Sequence, residues 1–193
     1  MNTKINKARK DSVEMRNYLL NIWNLVDPIY YRLSHLTYLP EKNILRVKLT
    51  RYKGRSVILS DGTVINKNDF LIKIHLHNAV LLKELKQIKS DLRRGRFVFQ
   101  AVREALPSLV LFIQQHPQVK QIKGIIGITT LNKGANHLGF EVIPITNSFY
   151  KWFKWASFLP ISLLSRTNSY KHPTPPSYLF MSKDGLTSRY KGH

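Results

Sequence analysis

Cysteine is absent from the 193 residues, which excludes disulfide staples, cysteine-ligated zinc and thiolate nucleophiles. Acidic residues are scarce: 11 Asp and Glu stand against 31 Lys and Arg, a formal net charge of +20. No run of roughly 18 to 20 uncharged apolar residues occurs, so no transmembrane segment is expected. The basic start, Met1 to Lys10, is not followed by a signal-peptide core, because Asn21, Asn24 and Asp27-Pro28 interrupt the apolar residues after Tyr18. Phosphate-cradling glycine loops are also missing. Gly124-Ile-Ile-Gly127 lies inside an apolar run and lacks the Lys-Ser/Thr that would follow. No cofactor is predicted. The expected place is the cytoplasm, with a peripheral position at the inner face of the cell membrane also open.

What is present is a hydrophobic share of 43% and moderate charge, which suit one globular domain. The excess of cations draws polyanions: anionic lipid, an acidic or lipid-linked glycan, or nucleic acid. Solubility with nonspecific attraction is the plainer reading of the same charge.

Residues 1–10 read as a basic flexible arm, 11–181 as a single domain and 182–193 as a basic tail. Met15, Leu19, Ile22, Trp23 and Val26 recur at helical spacing. Between Asn43 and His77 the period changes to two. Leu45, Val47 and Leu49 alternate with Arg46, Lys48 and Thr50, and Phe70, Ile72, Ile74 and Leu76 alternate with Leu71, Lys73, His75 and His77. Ser60-Asp-Gly-Thr63 signals a hairpin, and the whole stretch predicts an antiparallel meander with a basic outer face. Helices are expected over 78–116, where Pro107 opens the last of them and Pro117 closes it. Strands near 122–130 and 140–145, with a short helix ending at Gly139, form a short β-α-β element whose edge or antiparallel placement is left open. Tyr178-Leu-Phe-Met181 reads as a small strand or a packed plug. The fold class expected is α+β: one antiparallel sheet packed by helices, with an aromatic amphipathic helix beside it.

That helix is the most distinctive run of the chain, Phe149-Tyr-Lys-Trp-Phe-Lys-Trp-Ala-Ser-Phe158 and onward to Leu164. Lys151, Trp152, Lys154, Trp155 and Phe158 combine rings with cations, as a membrane–water boundary favours. Two other readings stand beside it: a core helix covering the sheet, and a platform for stacked bases.

His75 and His77 share one strand face, the way several metal sites begin, but two ligands do not make a site, and none is assigned. With Glu141 they are weak candidates for acid–base work; a polar sheet face is the plainer reading. Arg93, Arg94 and Arg96 form a basic cluster suited to phosphates or to solvent.

Asn132 to Glu141, a helix ending in Leu-Gly-Phe-Glu before a strand, resembles the closing element of acetyltransferases that use acetyl-CoA, although their Gln/Arg-x-x-Gly-x-Gly/Ala loop is missing. A longer resemblance rests on three blocks. They are Leu49-Thr-Arg-Tyr-Lys-Gly-Arg with Leu59-Ser-Asp-Gly-Thr-Val-Ile, then Ile74-His-Leu-His-Asn78, then Leu138-Gly-Phe-Glu-Val142 running into the aromatic segment. In that order they resemble the YkoP-like family of Gram-positive spore-forming bacteria. The resemblance implies a domain also found fused to polysaccharide deacetylases, hence an accessory role in envelope polysaccharide or glycolipid metabolism, with no catalytic residue to carry over. An acetyl-CoA-type acyltransferase and a nucleic-acid-binding module are the alternatives.

Overall fold

The computed structural model describes residues 37–39, 44–77, 81, 84–85, 87–88, 90–129, 132–145 and 175–192. The expected basic arm, the helical pattern of Met15 to Val26 and the aromatic segment 149–164 lie outside these residues. So do most residues of the helix expected after Asn78.

In chain order the elements are β1 (Thr37–Tyr38), β2 (Leu45–Arg51), β3 (Val57–Ile58), β4 (Val64–Ile65), β5 (Phe70–Leu76), α1 (Asp91–Gln115), β6 (Ile122–Thr129), a 3-10 turn (Ala135–Leu138), β7 (Glu141–Pro144), β8 (Ser177–Ser182) and α2 (Lys183–Tyr190). Six strands form one sheet in the order β1-β2-β5-β6-β8-β7. The fold is α+β, as expected, and four of the five strand junctions are antiparallel. The fifth, β5–β6, is parallel, because the chain leaves β5 through the long helix α1 and returns beside it. β7 takes the outer edge, and β8 slides between β6 and β7.

Alternation decides which residues enter the core. Leu45 and Val47 of β2, Ile72 of β5, Ile125 of β6 and Met181 of β8 face α1 and meet its Leu106, Leu109, Val110 and Ile113. Leu71, Ile126 and Phe180 point to the other face, beneath Tyr52, Leu59 and Ile65. Phe180 is fully buried and meets the Tyr52 ring edge-on, with centroids 5.5 Å apart.

Pro107 does not open a helix. α1 runs unbroken from Asp91 to Gln115 with Pro107 inside it. A helix-interior proline costs about 3 kcal/mol, whereas each fully buried Leu, Val or Ile recovers about 1.5–3 kcal/mol. The four large side chains that α1 buries outweigh the break. By length and composition α1 could cross a membrane. Its apolar stripe is committed to the sheet, which is the position of a core helix.

β3 and β4 form a separate two-stranded sheet instead of joining the meander. β2 pairs with β5 along its whole length and with β1 at Arg46 and Val47, and the hairpin joins neither side of it. It folds instead over the face opposite α1. Its turn is tied down from afar. Ser182 Oγ donates to Asp61 Oδ2, while the Ser60 N–H and Oγ–H both donate to Glu141 Oε1 at 2.8 Å. Ser182 also caps α2 by accepting the Gly185 N–H at 2.8 Å. The segment read as a basic tail thus carries α2, whose Leu186 is buried in the main core.

Candidate functional site

The register of β2 and β5 puts Arg46 directly across from His75, and Lys48 across from Lys73. Their neighbours Val47 and Ile72 face α1, so these four basic side chains share the opposite face of the sheet. Arg46 is only 3% exposed, while Lys48, Lys73 and His75 are half-buried. The basic face expected from alternation is therefore drawn together by the cross-strand pairing.

His77 follows just after β5, with its N–H bonded to the Ile44 carbonyl at 2.7 Å. Glu141 is not brought near the histidines. Its ladder partners run Glu141–Phe180–Ile126–Lys73, three strand spacings across the sheet, or about 14 Å. Among the described residues no group of three His, Asp or Glu side chains gathers to hold a metal.

Glu141 instead lines a shallow cleft of about 390 Å³ with Ser60, Asn136 and Arg189. Its Oε1 is occupied by the two Ser60 donors, which gives the carboxylate the job of holding the hairpin turn. Gly139 sets the cleft floor in the left-handed region, at φ 87°, and a Cβ there would stand 2.8 Å from Arg189 Cδ.

Arg93, Arg94 and Arg96 fall in the first turns of α1. Arg93 and Arg96 are exposed, and the Arg94 Nε–H donates to the Ile88 carbonyl at 2.7 Å. Three cations at a helix N-terminus add to the positive end of the macrodipole, and the Ser90 side chain makes no cap hydrogen bond. Leu92, 75% exposed, stands among them.

The β5–β6 ladder stops at Lys73–Ile126, three residues before either strand ends. Beyond that level each strand pairs with its other neighbour, β5 with β2 and β6 with β8. The parallel pairing thus ends short of the strands' carboxyl ends, the side of an α/β crossover at which ligands commonly settle.

One feature escaped the sequence reading. On the outer face of the β3–β4 hairpin, Ile58 and Val64 are cross-strand partners and are 73% and 41% exposed. Lys53, Arg55 and Lys67, in the segments that enter and leave the hairpin, are also exposed. Ser56-Val-Ile-Leu59 is too short and too uniformly apolar beyond the serine to tell which side chains turn outward. Lys151, Trp152, Lys154, Trp155 and Phe158 lie outside the described residues.

No solved structure matches the chain. It is 47% identical over 180 residues to a Bacillus subtilis (strain 168) protein named "Uncharacterized protein YkoP", covering 92% of this chain and 98% of that one. The family model of the YkoP domain matches residues 16–190. With nearly the whole length matched on both comparisons, the chain belongs to the YkoP family.

Proposed function

We propose that the protein is a noncatalytic domain that seats itself on an anionic membrane surface and assists envelope polysaccharide or glycolipid metabolism. The observation that carries this reading is the β3–β4 hairpin. It exposes an apolar pair, Ile58 and Val64, and the segments that enter and leave it carry the exposed Lys53, Arg55 and Lys67, so one element offers both apolar contact and positive charge. The rest of the surface agrees in sign. Twelve Lys and Arg are exposed among the described residues, against four exposed carboxylates, Asp61, Glu84, Glu104 and Asp184. Two of those four accept hydrogen bonds from neutral groups, Asp61 from Ser182 and Thr63 and Glu104 from Gln100. Exposed cations outnumber exposed carboxylates three to one among the described residues, so the field stays positive.

In this reading Lys151, Trp152, Lys154, Trp155 and Phe158 add a second foothold. The test is flotation with neutral and with phosphatidylglycerol-containing vesicles at low and high salt. Wild type is expected to float with anionic vesicles alone and to keep part of that binding in high salt. Ile58→Ser with Val64→Ser, and separately Trp152→Ala with Trp155→Ala, should each weaken binding while circular dichroism stays unchanged. Failure of the wild type to float with anionic vesicles at low salt overturns the reading.

A second reading, an acyltransferase of the acetyl-CoA type, is favoured by the parallel β5–β6 crossover. The carboxyl ends of these strands, with the arginine-bearing start of their crossover helix α1, suit a ligand with an extended arm and phosphates.

A further inference from the structure

We infer that the cleft between the β3–β4 turn, the start of β7 and the end of α2 binds a neutral saccharide. Its volume of about 390 Å³ lies at the lower end of the range for small-molecule sites. Ser60, Asn136, Glu141 and Arg189 bring polar groups to it from four different elements. Its two charged side chains, Glu141 and Arg189, are of opposite sign, in a chain whose net charge is +20. The polyanions that the rest of the surface attracts would meet a carboxylate here, and a simple cation would meet the guanidinium. A ligand without net charge is repelled by neither. It must also answer an acceptor and a donor in the same opening, and a sugar hydroxyl both donates and accepts.

The lining side chains have hydrogen-bonding capacity left for such a ligand. Both Ser60 donors go to Glu141 Oε1, and among the described residues nothing donates to Oε2. Arg189 is exposed, and among the described residues its guanidinium forms no hydrogen bond or ion pair. Its side chain lies over Gly139, where a Cβ would stand 2.8 Å from Nε and 3.2 Å from Cζ, so the glycine keeps the room that the guanidinium occupies. Asn136 is exposed and adds an amide that both donates and accepts. A carboxylate oxygen, a forked donor and an amide around one opening are what a ring with neighbouring hydroxyls can satisfy together. Ser60 follows Ile58 by two residues, at most about 7 Å along the chain. A sugar headgroup on a lipid beneath the hairpin therefore lies near the cleft, and a free saccharide reaches it from solution. The site deepens the surface reading and rests on it for the lipid-borne source alone.

The first arm of the test titrates the whole chain with glucose, N-acetylglucosamine and their β-1,4-linked disaccharides, and follows the backbone amides by NMR. Alanine serves as the zwitterionic control. A sugar is expected to move the Ser60, Gly139 and Glu141 amides saturably, and alanine to leave them in place. Glu141→Gln keeps an oxygen for the Ser60 donors but puts an amino group where Oε2 stood, so the hairpin tie survives while the acceptor is lost. That variant and Asn136→Ala should each weaken sugar binding about five- to tenfold. If Glu141→Gln unfolds the protein, Asn136→Ala decides alone. The second arm is flotation with phosphatidylglycerol vesicles with and without a glucosyl diacylglycerol. Tighter flotation with the glycolipid, lost in the variant, assigns the lipid-borne source. A response to free sugar without that gain assigns a soluble saccharide. No saturable shift with any of the sugars and no glycolipid gain, or equal binding in wild type and variants, overturns the site. A response to alanine in place of the sugars overturns the saccharide assignment. Flotation with plain phosphatidylglycerol vesicles that persists in those cases leaves the surface reading standing, whereas lost flotation with an intact sugar response refutes the surface reading alone.

Discussion

Gly124→Ala tests the β6–β8 register, which sets Phe180 and Ser182 beneath the β3–β4 hairpin. A Cβ on Gly124 would lie 2.4 Å from the Met181 carbonyl oxygen and 3.0 Å from Ser182 Cα. Both are backbone atoms of β8, the ladder partner of β6, so no side-chain rotation can relieve the contact. The strands would have to separate by about 1 Å to restore an ordinary carbon–oxygen distance. Overpacking of this kind costs about 1–3 kcal/mol, and each loosened ladder bond adds about 0.5–1.5 kcal/mol. Against that, alanine restricts the unfolded chain and returns about 0.4–1 kcal/mol. The net expectation is a loss of about 2–3 kcal/mol, or roughly 5–10 °C in the melting midpoint for a chain of this size.

Gly127→Ala is the internal comparison. There a Cβ meets side-chain atoms, Ile74 Cγ1 at 3.3 Å and Leu179 Cβ at 3.6 Å, and Ile74 can give way. The expected loss is about 1 kcal/mol or less. Thermal and urea melts followed by circular dichroism and tryptophan fluorescence measure both variants. A Gly124→Ala midpoint within about 1 °C of wild type, or a larger loss at Gly127, would refute the β6–β8 register. A slip of one residue would exchange the faces of Phe180 and Met181. The cores on both sides of the sheet would then have to be redrawn.

Two further outcomes follow from the same contacts. The Ser182 hydroxyl, with the Thr63 N–H, holds the Asp61 carboxyl below the usual carboxylate range, although burial pushes it the other way. A lowered folded value means a contribution complete above the unfolded pKa of about 3.9 and lost as pH falls through the folded one, so Asp61→Asn should flatten the acid side of the midpoint-versus-pH curve. Parallel curves for variant and wild type from pH 3 to 7 would show that the turn is not held by this bond. For the acyltransferase reading, acetyl-CoA at millimolar concentration should raise the melting midpoint, and no shift there would remove that reading.

The sequence alone was enough for features governed by near neighbours. Alternation from Leu45 to Arg51 and from Phe70 to Leu76 set the strands and the two faces of each. Ser60-Asp-Gly-Thr63 turned where expected, with Gly62 at φ 83° and its N–H bonded to the Leu59 carbonyl. The cationic side of β2 and β5 was legible for the same reason, since a period of two needs no partner to be read. The family could be recognised from a few separated blocks.

Tertiary structure decided whatever depends on distant residues. Pro107 sits inside α1 because burial against the sheet outweighs a local penalty, and no local signal reports that burial. β8 enters between β6 and β7 because its two edges meet partners far earlier in the chain. The hairpin stands apart from the main sheet because Leu59 and Ile65 are buried against one face of it, with Leu71 and Ile126. It then closed over Phe180 through bonds spanning 121 residues, Ser182 to Asp61, and 81 residues, Ser60 to Glu141. Ile58 and Val64 were left outside by that closure, and Glu141 was drawn away from His75 by three strands. Alternation says which side chains share a face, but only pairing between strands says which of them meet.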